Sequence, residues 1–208
     1  MRSLLILLFC LAFLHIHAQE VQAEFDGHKW EAPYNLPTPK GWTIERFLIP
    51  IGFAPQISYK GVEDIRFSPG WAKVASDEYW TYAFLWYLDE LPKTNTGTLT
   101  RNLKAYYTGL IKTNTNNGKT LPAKSIPVTT AFYKVTTDKG DMETYNGTIE
   151  MMDYMQKKPI NLNCIVHLKF CKEMNKAILF YELSPKPFIH NNWAKLNKLW
   201  LDFTCKKK

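Results

Sequence analysis

The ten residues YWTYAFLWYL at positions 79–88 constrain this fold more than any other stretch of the chain. Side chains alternate between the two faces of a strand, and here aromatic and aliphatic residues occupy both parities. Such a strand needs cover on both sides, which places it inside a sheet with a layer packed on each face. The composition can supply those layers, since 46% of the 208 residues are hydrophobic and 14% aromatic. Aromatic side chains carry large burial energies, and a length near 200 residues suits one domain with a proper core.

The flanking sequence supplies partners. Residues 24–39 carry Pro33, Pro37 and Pro39 and read as an irregular lead-in, so 19–41 is assigned to it and 42–208 to the folded domain. Residues 42–51 (WTIERFLIPI) and 61–68 (GVEDIRFS) read as extended, the second closed by Pro69-Gly70. After a break at residues 94–97, Leu99, Leu103, Tyr106 or Tyr107, and Leu110 recur at helical spacing over 98–112. The run TNTNNG at 113–118 ends that helix. Four strands are then expected at 128–137, 145–155, 160–171 and 177–183. Their links are short and polar, around Lys139-Gly140, Lys157-Lys158-Pro159 and Met174-Asn175, which favours an antiparallel meander. Pro185 and Pro187 end the last strand, and Asn191 or Asn192 is placed to cap a helix with Trp193, Leu196, Trp200 and Phe203 on one stripe. The expected class is α+β: a mainly antiparallel sheet with a four-stranded C-terminal meander, covered by two helices.

In this order of elements, and in the ending AILFYELSPKP…W..L..LWLDFTC, the chain resembles the PsbP-like α/β/α sandwich over residues 42–205. The resemblance implies a fold that hosts non-catalytic assembly and binding proteins. It transfers no functional residue, because fold does not fix function.

The first residues, MRSLLILLFCLAFLHIHAQE, have the three parts of a secretory signal: the charge of Arg2, an apolar run over 4–16, and small residues at cleavage points. Cleavage is expected between Ala18 and Gln19, or after Ala23. The run is short for a spanning helix, which needs about 20 apolar residues, and no later segment is apolar for long enough. Cys10 follows the bulky Phe9, which argues against lipoprotein acylation. The expected destination is therefore secreted or periplasmic, where disulfides persist. Cleavage leaves Cys164, Cys171 and Cys205, an odd number. Cys164 and Cys171 lie on one expected strand, about 23 Å apart at the strand rise, so they do not bond to each other. Either reaches Cys205. Cys171 is preferred, because Cys164 is in register with Leu162, Val166 and Leu168 on an apolar face.

Chemistry is harder to find. No glycine-rich phosphate loop, GxSxG elbow, HExxH, CxxC or calcium loop occurs, and no cofactor or metal ligand set is expected. The formal charge of +7 is dispersed, apart from Lys206-Lys207-Lys208, and accompanies no nucleic-acid motif. The sequon Asn146-Gly147-Thr148 falls in an expected strand and is discounted. Of the histidines, His28 lies in the lead-in and His190 beside the last helix, without partners at ligand spacing. His167 stands in a strand. A turn at Met174-Asn175 puts it opposite Glu182, and a turn at Lys157-Lys158 puts it opposite Thr148, with Glu150 one diagonal step away. Glu150, His167 and Glu182 then share a face across three strands, as a metal-binding or proton-transfer cluster would. Moving the second turn to Asn175-Lys176 pairs Glu182 with Lys169 instead, an ordinary surface ion pair.

A second candidate is aromatic. Trp71, Tyr79, Trp80, Tyr82, Trp86 and Tyr87 crowd one region, and exposed aromatics mark interaction surfaces. Core packing accounts for most of them; Trp71 and Tyr79 are the candidates for binding, and Trp71, beside the Pro69-Gly70 turn, for exposure. The expected activity is non-catalytic binding of a small ligand or an unknown protein. The alternative is a metal-dependent or acid–base hydrolase using His167.

Overall fold

The structure, a computed structural model, describes residues 25–115, 119, 126–137 and 140–205. The expected leader, with Arg2, Cys10, Ala18, Gln19 and Ala23, and the terminal lysines lie outside the described residues.

The elements are β1 (Tyr34–Asn35), β2 (Thr43–Ile49), β3 (Gly61–Phe67), β4 (Tyr82–Leu88), α1 (Thr96–Asn114), β5 (Thr129–Lys134), β6 (Glu143–Asp153), β7 (Lys158–Cys171), β8 (Lys176–Ser184), α2 (Asn191–Leu201) and β9 (Thr204–Cys205). Seven strands form one sheet in the order β2-β3-β4-β8-β7-β6-β5, antiparallel at every pair. It is two meanders joined where β4 meets β8. All seven residues of β4 are buried, as a strand apolar on both faces requires. This is an α+β architecture with helices on a large antiparallel sheet.

β4 begins at Tyr82, three residues later than the aromatic run suggests. Trp80 adopts φ 53°, in the left-handed region, and its amide donates to the Trp71 carbonyl at 2.8 Å, which turns the chain before the strand starts. α1 begins at a capping box: Asn95 Oδ1 accepts from the Thr98 amide at 2.9 Å, and the Asn95 amide donates to Thr98 Oγ1 at 3.1 Å. The expected caps of α2 need correction. The N-cap is His190, whose Nδ1 accepts from the Asn192 amide at 3.2 Å. Asn192 is buried instead, its side-chain amide donating to the Asp77 carbonyl and to Thr81.

One face of the sheet packs against α1, with Phe84, Trp86, Tyr181 and Val166 under Leu103 and Tyr107. The other packs against α2 and the lead-in, with Leu85, Ile178 and Phe180 under Trp193, Leu196 and Trp200. The lead-in is irregular except at β1, which pairs with β9 so that Tyr34 lies opposite Cys205. Cys205 is bonded to Cys171. Cys164 is a buried free thiol on the α1 face, beside Leu162 and Val166.

Both registers around β7 differ from those expected. His167 lies opposite Thr144 and Phe180, Glu150 opposite Asn161, and Glu182 opposite Ile165. The turns explain this. At the first, Asp153 Oδ1 accepts from the amides of Met155 and Gln156 and Lys157 takes φ 56°, so the loop closes earlier than Lys157-Lys158. At the second, the 3-10 turn Lys172–Met174 with Asn175 at φ 52° inserts before β8. Each shift is an even number of residues, so every side chain keeps its face.

Candidate functional site

Two places collect chemistry, and each draws on residues singled out in the sequence. The first is under α2. His167 and Glu182 share the α2 face, with His167 Nε2 3.5 Å from Glu182 Oε1. Glu150 is not part of this cluster: it lies several residues along the sheet, exposed, accepting from Thr129 Oγ1 at 3.1 Å. The second carboxylate is Asp141, from the β5–β6 connection, whose Oδ2 is 2.7 Å from His167 Nδ1. Asp141 Oδ2 also accepts from Thr144 Oγ1, and its Oδ1 accepts from Trp200 Nε1 at 3.0 Å. The Trp200 ring stacks on His167 with centroids 4.9 Å apart.

This assembly is sealed, because the side chains of His167, Asp141 and Glu182 are 1%, 0% and 0% exposed. Burial pulls the His167 pKa down, but its contacts with Asp141 and Glu182 outweigh burial and lift it to about 9. At neutral pH the ring is then an imidazolium between two carboxylates. An imidazolium has no lone pair for a metal or for a proton, so general-base and metal-ligand roles need this ring deprotonated. Among the described residues, no group of three His, Cys, Asp or Glu side chains is arranged to hold a metal ion. The geometry is that of a buried ionic clamp fixing α2 and the 141 turn to the sheet.

The second place is on the opposite face. α1 packs over β5 and β6, so the β2–β3 end of that face is roofed by loops. The 50–57 loop reaches α1 at Gly109, where a Cβ would come within 1.8 Å of the Phe53 carbonyl oxygen. That close approach sets Phe53 edge-on to Tyr106, centroids 5.1 Å apart. From the other side, the 71–80 loop stacks Trp71 on Phe67 at 4.3 Å. Tyr154, in the β6–β7 turn, meets Trp80 edge-on at 5.3 Å. Between these walls is a cleft of about 180 Å³. Phe67, Trp80, Tyr82 and Tyr106 are its buried floor, while Phe47, Phe53, Trp71 and Tyr154 form a partly buried rim.

The sequence-singled aromatics therefore separate. Trp71 and Tyr82 line the cleft. Tyr79 does not: it is buried, and its hydroxyl donates to Asp153 Oδ2 at 2.6 Å, pinning the 71–80 loop to the β6–β7 turn. Trp86 is core, and Tyr87 points to the opposite face, 5.3 Å from Tyr34. His28 is exposed in a turn, and Asn146 of the sequon is half-buried within β6.

Four acidic residues of these sites escaped the sequence reading. Asp141 gives no signal beyond its turn. Glu45 stands on β2 at the cleft rim. Glu63 and Asp64, adjacent on β3, are both fully buried on opposite faces. Burial raises the Glu63 pKa to about 8, against the hydrogen bond from the Tyr106 hydroxyl that lowers it. Adjacent acids inside an apolar run were the available clue, since an uncompensated buried charge is rare.

No protein-family model matches this chain, and comparison with curated proteins and with solved structures returns no match either.

Proposed function

We propose that this chain is an exported, non-catalytic binding domain whose ligand is a small molecule held in the aromatic cleft between α1 and the β2–β3 end of the sheet. The observation that carries the reading is the contrast of floor and rim: a buried aromatic floor ringed by aromatics that are only partly buried. Exposed aromatic surface in a concavity is a costly arrangement unless something covers it. Pockets for drug-sized ligands run to roughly 300–1,000 Å³, so a ligand filling 180 Å³ is a fragment or one group of a larger molecule. Export is supported by the leader-like N-terminus and by the Cys171–Cys205 disulfide. Among the described residues, no helix is long and apolar enough to cross a membrane.

The hydrolase alternative rests on His167, whose closed, doubly paired setting favours structure over turnover. The binding reading is tested by backbone-amide NMR of the mature protein with indole, p-cresol and cyclohexanol. Shifts concentrated in residues 65–82 and 106–114, and lost on Trp71→Ala, are the expected result. Amides of the cleft that stay unmoved by all three, or shift equally in Trp71→Ala, would overturn it.

A further inference from the structure

We infer that the cleft receives a small organic cation, an ammonium group carrying methyl or other alkyl substituents, seated on the aromatic faces with Glu45 as its counter-charge. This rests on the ligand-binding reading above and names the class of ligand.

The polar inventory of the cleft points to it. The chain has 26 Lys and Arg and a formal charge of +7, yet among the described residues no Lys or Arg lines the cleft, where the carboxylate is Glu45. Glu45 is exposed on β2 at the mouth of the cleft. Burial is the main cause of the raised pKa values of Tyr154 and Glu63, and Glu45 adds a smaller push in the same direction to each.

The phenol groups of the floor are turned to other uses. Tyr106 donates its hydroxyl proton to Glu63 Oε1 at 2.7 Å, and the Tyr82 and Tyr107 hydroxyls share a hydrogen bond at 2.5 Å. What Tyr82 and Tyr106 present is ring rather than hydroxyl. A sugar would need hydrogen-bond partners for each hydroxyl it buries, and a carboxylate ligand would face Glu45 and the negative ring faces. An alkylated ammonium needs neither donors nor acceptors. Its positive charge is attracted to ring faces, and its methyl groups bury as apolar surface. Asn114, on the rim, donates its side-chain amide to the Leu110 carbonyl at 2.9 Å and keeps its oxygen for a substituent leaving the cleft. The buried Trp80 Nε1, without a hydrogen-bond partner among the described residues, is the donor that a hydroxyl on such a substituent would meet.

The experiment compares choline and tetramethylammonium with 3,3-dimethyl-1-butanol, the neutral carbon counterpart of choline, by calorimetry and by the same amide shifts. Choline is expected to bind about ten-fold tighter than the neutral alcohol, the scale of a partly desolvated cation–π contact. Trp71→Ala should weaken choline about ten-fold, and Glu45→Gln about three-fold with a reduced salt dependence, the alcohol being indifferent to Glu45. Glu45 is exposed, so its variant tests charge without threatening the fold. Equal affinity for choline and the alcohol, or choline binding unchanged by Glu45→Gln and Trp71→Ala together, would overturn the inference. If indole and the alcohol shift the cleft while both cations do not, the binding reading stands and the cation assignment fails; if neither class shifts it, both fail. Vesicles of phosphatidylcholine form a separate arm: binding of free choline places the ammonium on a solute, and binding of vesicles alone places it on a lipid headgroup.

Discussion

The two faces of the sheet bury polar groups by opposite rules. On the α2 face charges are matched by charges. Asp64 is bonded to Arg66, to Arg46 Nε at 3.0 Å and to the Tyr34 hydroxyl at 2.9 Å, while Arg66 also donates to the carbonyls of Leu36 and Pro37. His167 sits between Asp141 and Glu182 on the same face. On the α1 face the buried carboxyl of Glu63 is met by the neutral Tyr106 hydroxyl, and aromatic rings take the place of ions. The ionic face is closed by α2, by the lead-in and by the disulfide. The aromatic face is where the cleft opens. Ion pairs demand full coordination when desolvated, so they suit surfaces meant to stay shut. Ring faces tolerate being covered or uncovered at lower cost, which suits a surface that exchanges a ligand.

The largest break in this comparison is Asp64→Ala. It strands the Arg66 guanidinium, which is 2% exposed, against backbone carbonyls alone. Removing one partner of a buried pair costs about 3–5 kcal/mol, a large share of a typical domain's stability. Urea denaturation should show that loss, and Tyr34→Phe, deleting only the hydroxyl, should cost about 1 kcal/mol. Equal losses from the two variants would mean that Asp64 is not the charge holding the lead-in to the sheet. Next comes the disulfide. It spans 34 residues and ties the last strand to the end of β7; the loop-entropy relation gives about 3–4 kcal/mol for that length. Cys171→Ser/Cys205→Ser should lose stability on that scale. Unchanged stability would show that β1–β9 pairing and the Asp64 network close this face by themselves.

The third effect is a pH dependence that distinguishes the faces. His167 has a folded pKa of about 9 against 6.5 for the free ring. Below 6.5 both states hold the proton and the contribution is complete. Between 6.5 and about 9 the unfolded chain gives it up while the folded one keeps it, so stability falls and is lost above about 9. At ~1.4 kcal/mol per unit this amounts to about 3 kcal/mol as an upper bound. Glu63 acts in the same direction in a lower window, since its pKa rises from 4.5 to about 8. NMR titration separates them: the His167 ring should titrate near 9 and the Glu63 carboxyl near 8. A His167 that titrates at or below 6.5 would remove the clamp from the α2 face.

Much of this was legible in the sequence. The α+β class, the meander, both helices and the Cys171–Cys205 bond follow from periodicity, short polar links and the face on which Cys164 falls. Register was less so. Turn geometry depends on Asp153, Lys157 and Asn175 adopting specific backbone conformations, and several closures suit the same residues. The His167–Glu182 neighbourhood survived the β7–β8 shift because an even displacement preserves the face. Glu150 dropped out because face does not fix position along a strand. The cleft was least legible. Its rim comes from β2, three loops and a helix, and only Trp71 stood out, because a sequence shows which residues are aromatic and not which are left half-covered.

The smallest loss, that of Trp71→Ala, is read by comparing two tryptophans, one from each face, each stacked on another ring. Trp200 lies on His167, bonds to Asp141 and has the Lys169 ammonium 4.5 Å from its centroid. Trp71 stacks on Phe67 at 4.3 Å but is only partly buried at the rim. Trp200→Ala opens the ionic clamp and should cost the ~3–5 kcal/mol of a buried tryptophan. Trp71→Ala removes one stacking contact and partial burial, which is worth about 1–2 kcal/mol, while abolishing most ligand affinity. Thermal unfolding of the two variants decides it. If Trp71→Ala destabilises as much as Trp200→Ala, the rim is load-carrying core and its exposure has no bearing on a ligand. If it is nearly silent in unfolding yet decisive in binding, the side chain is kept for something other than the fold.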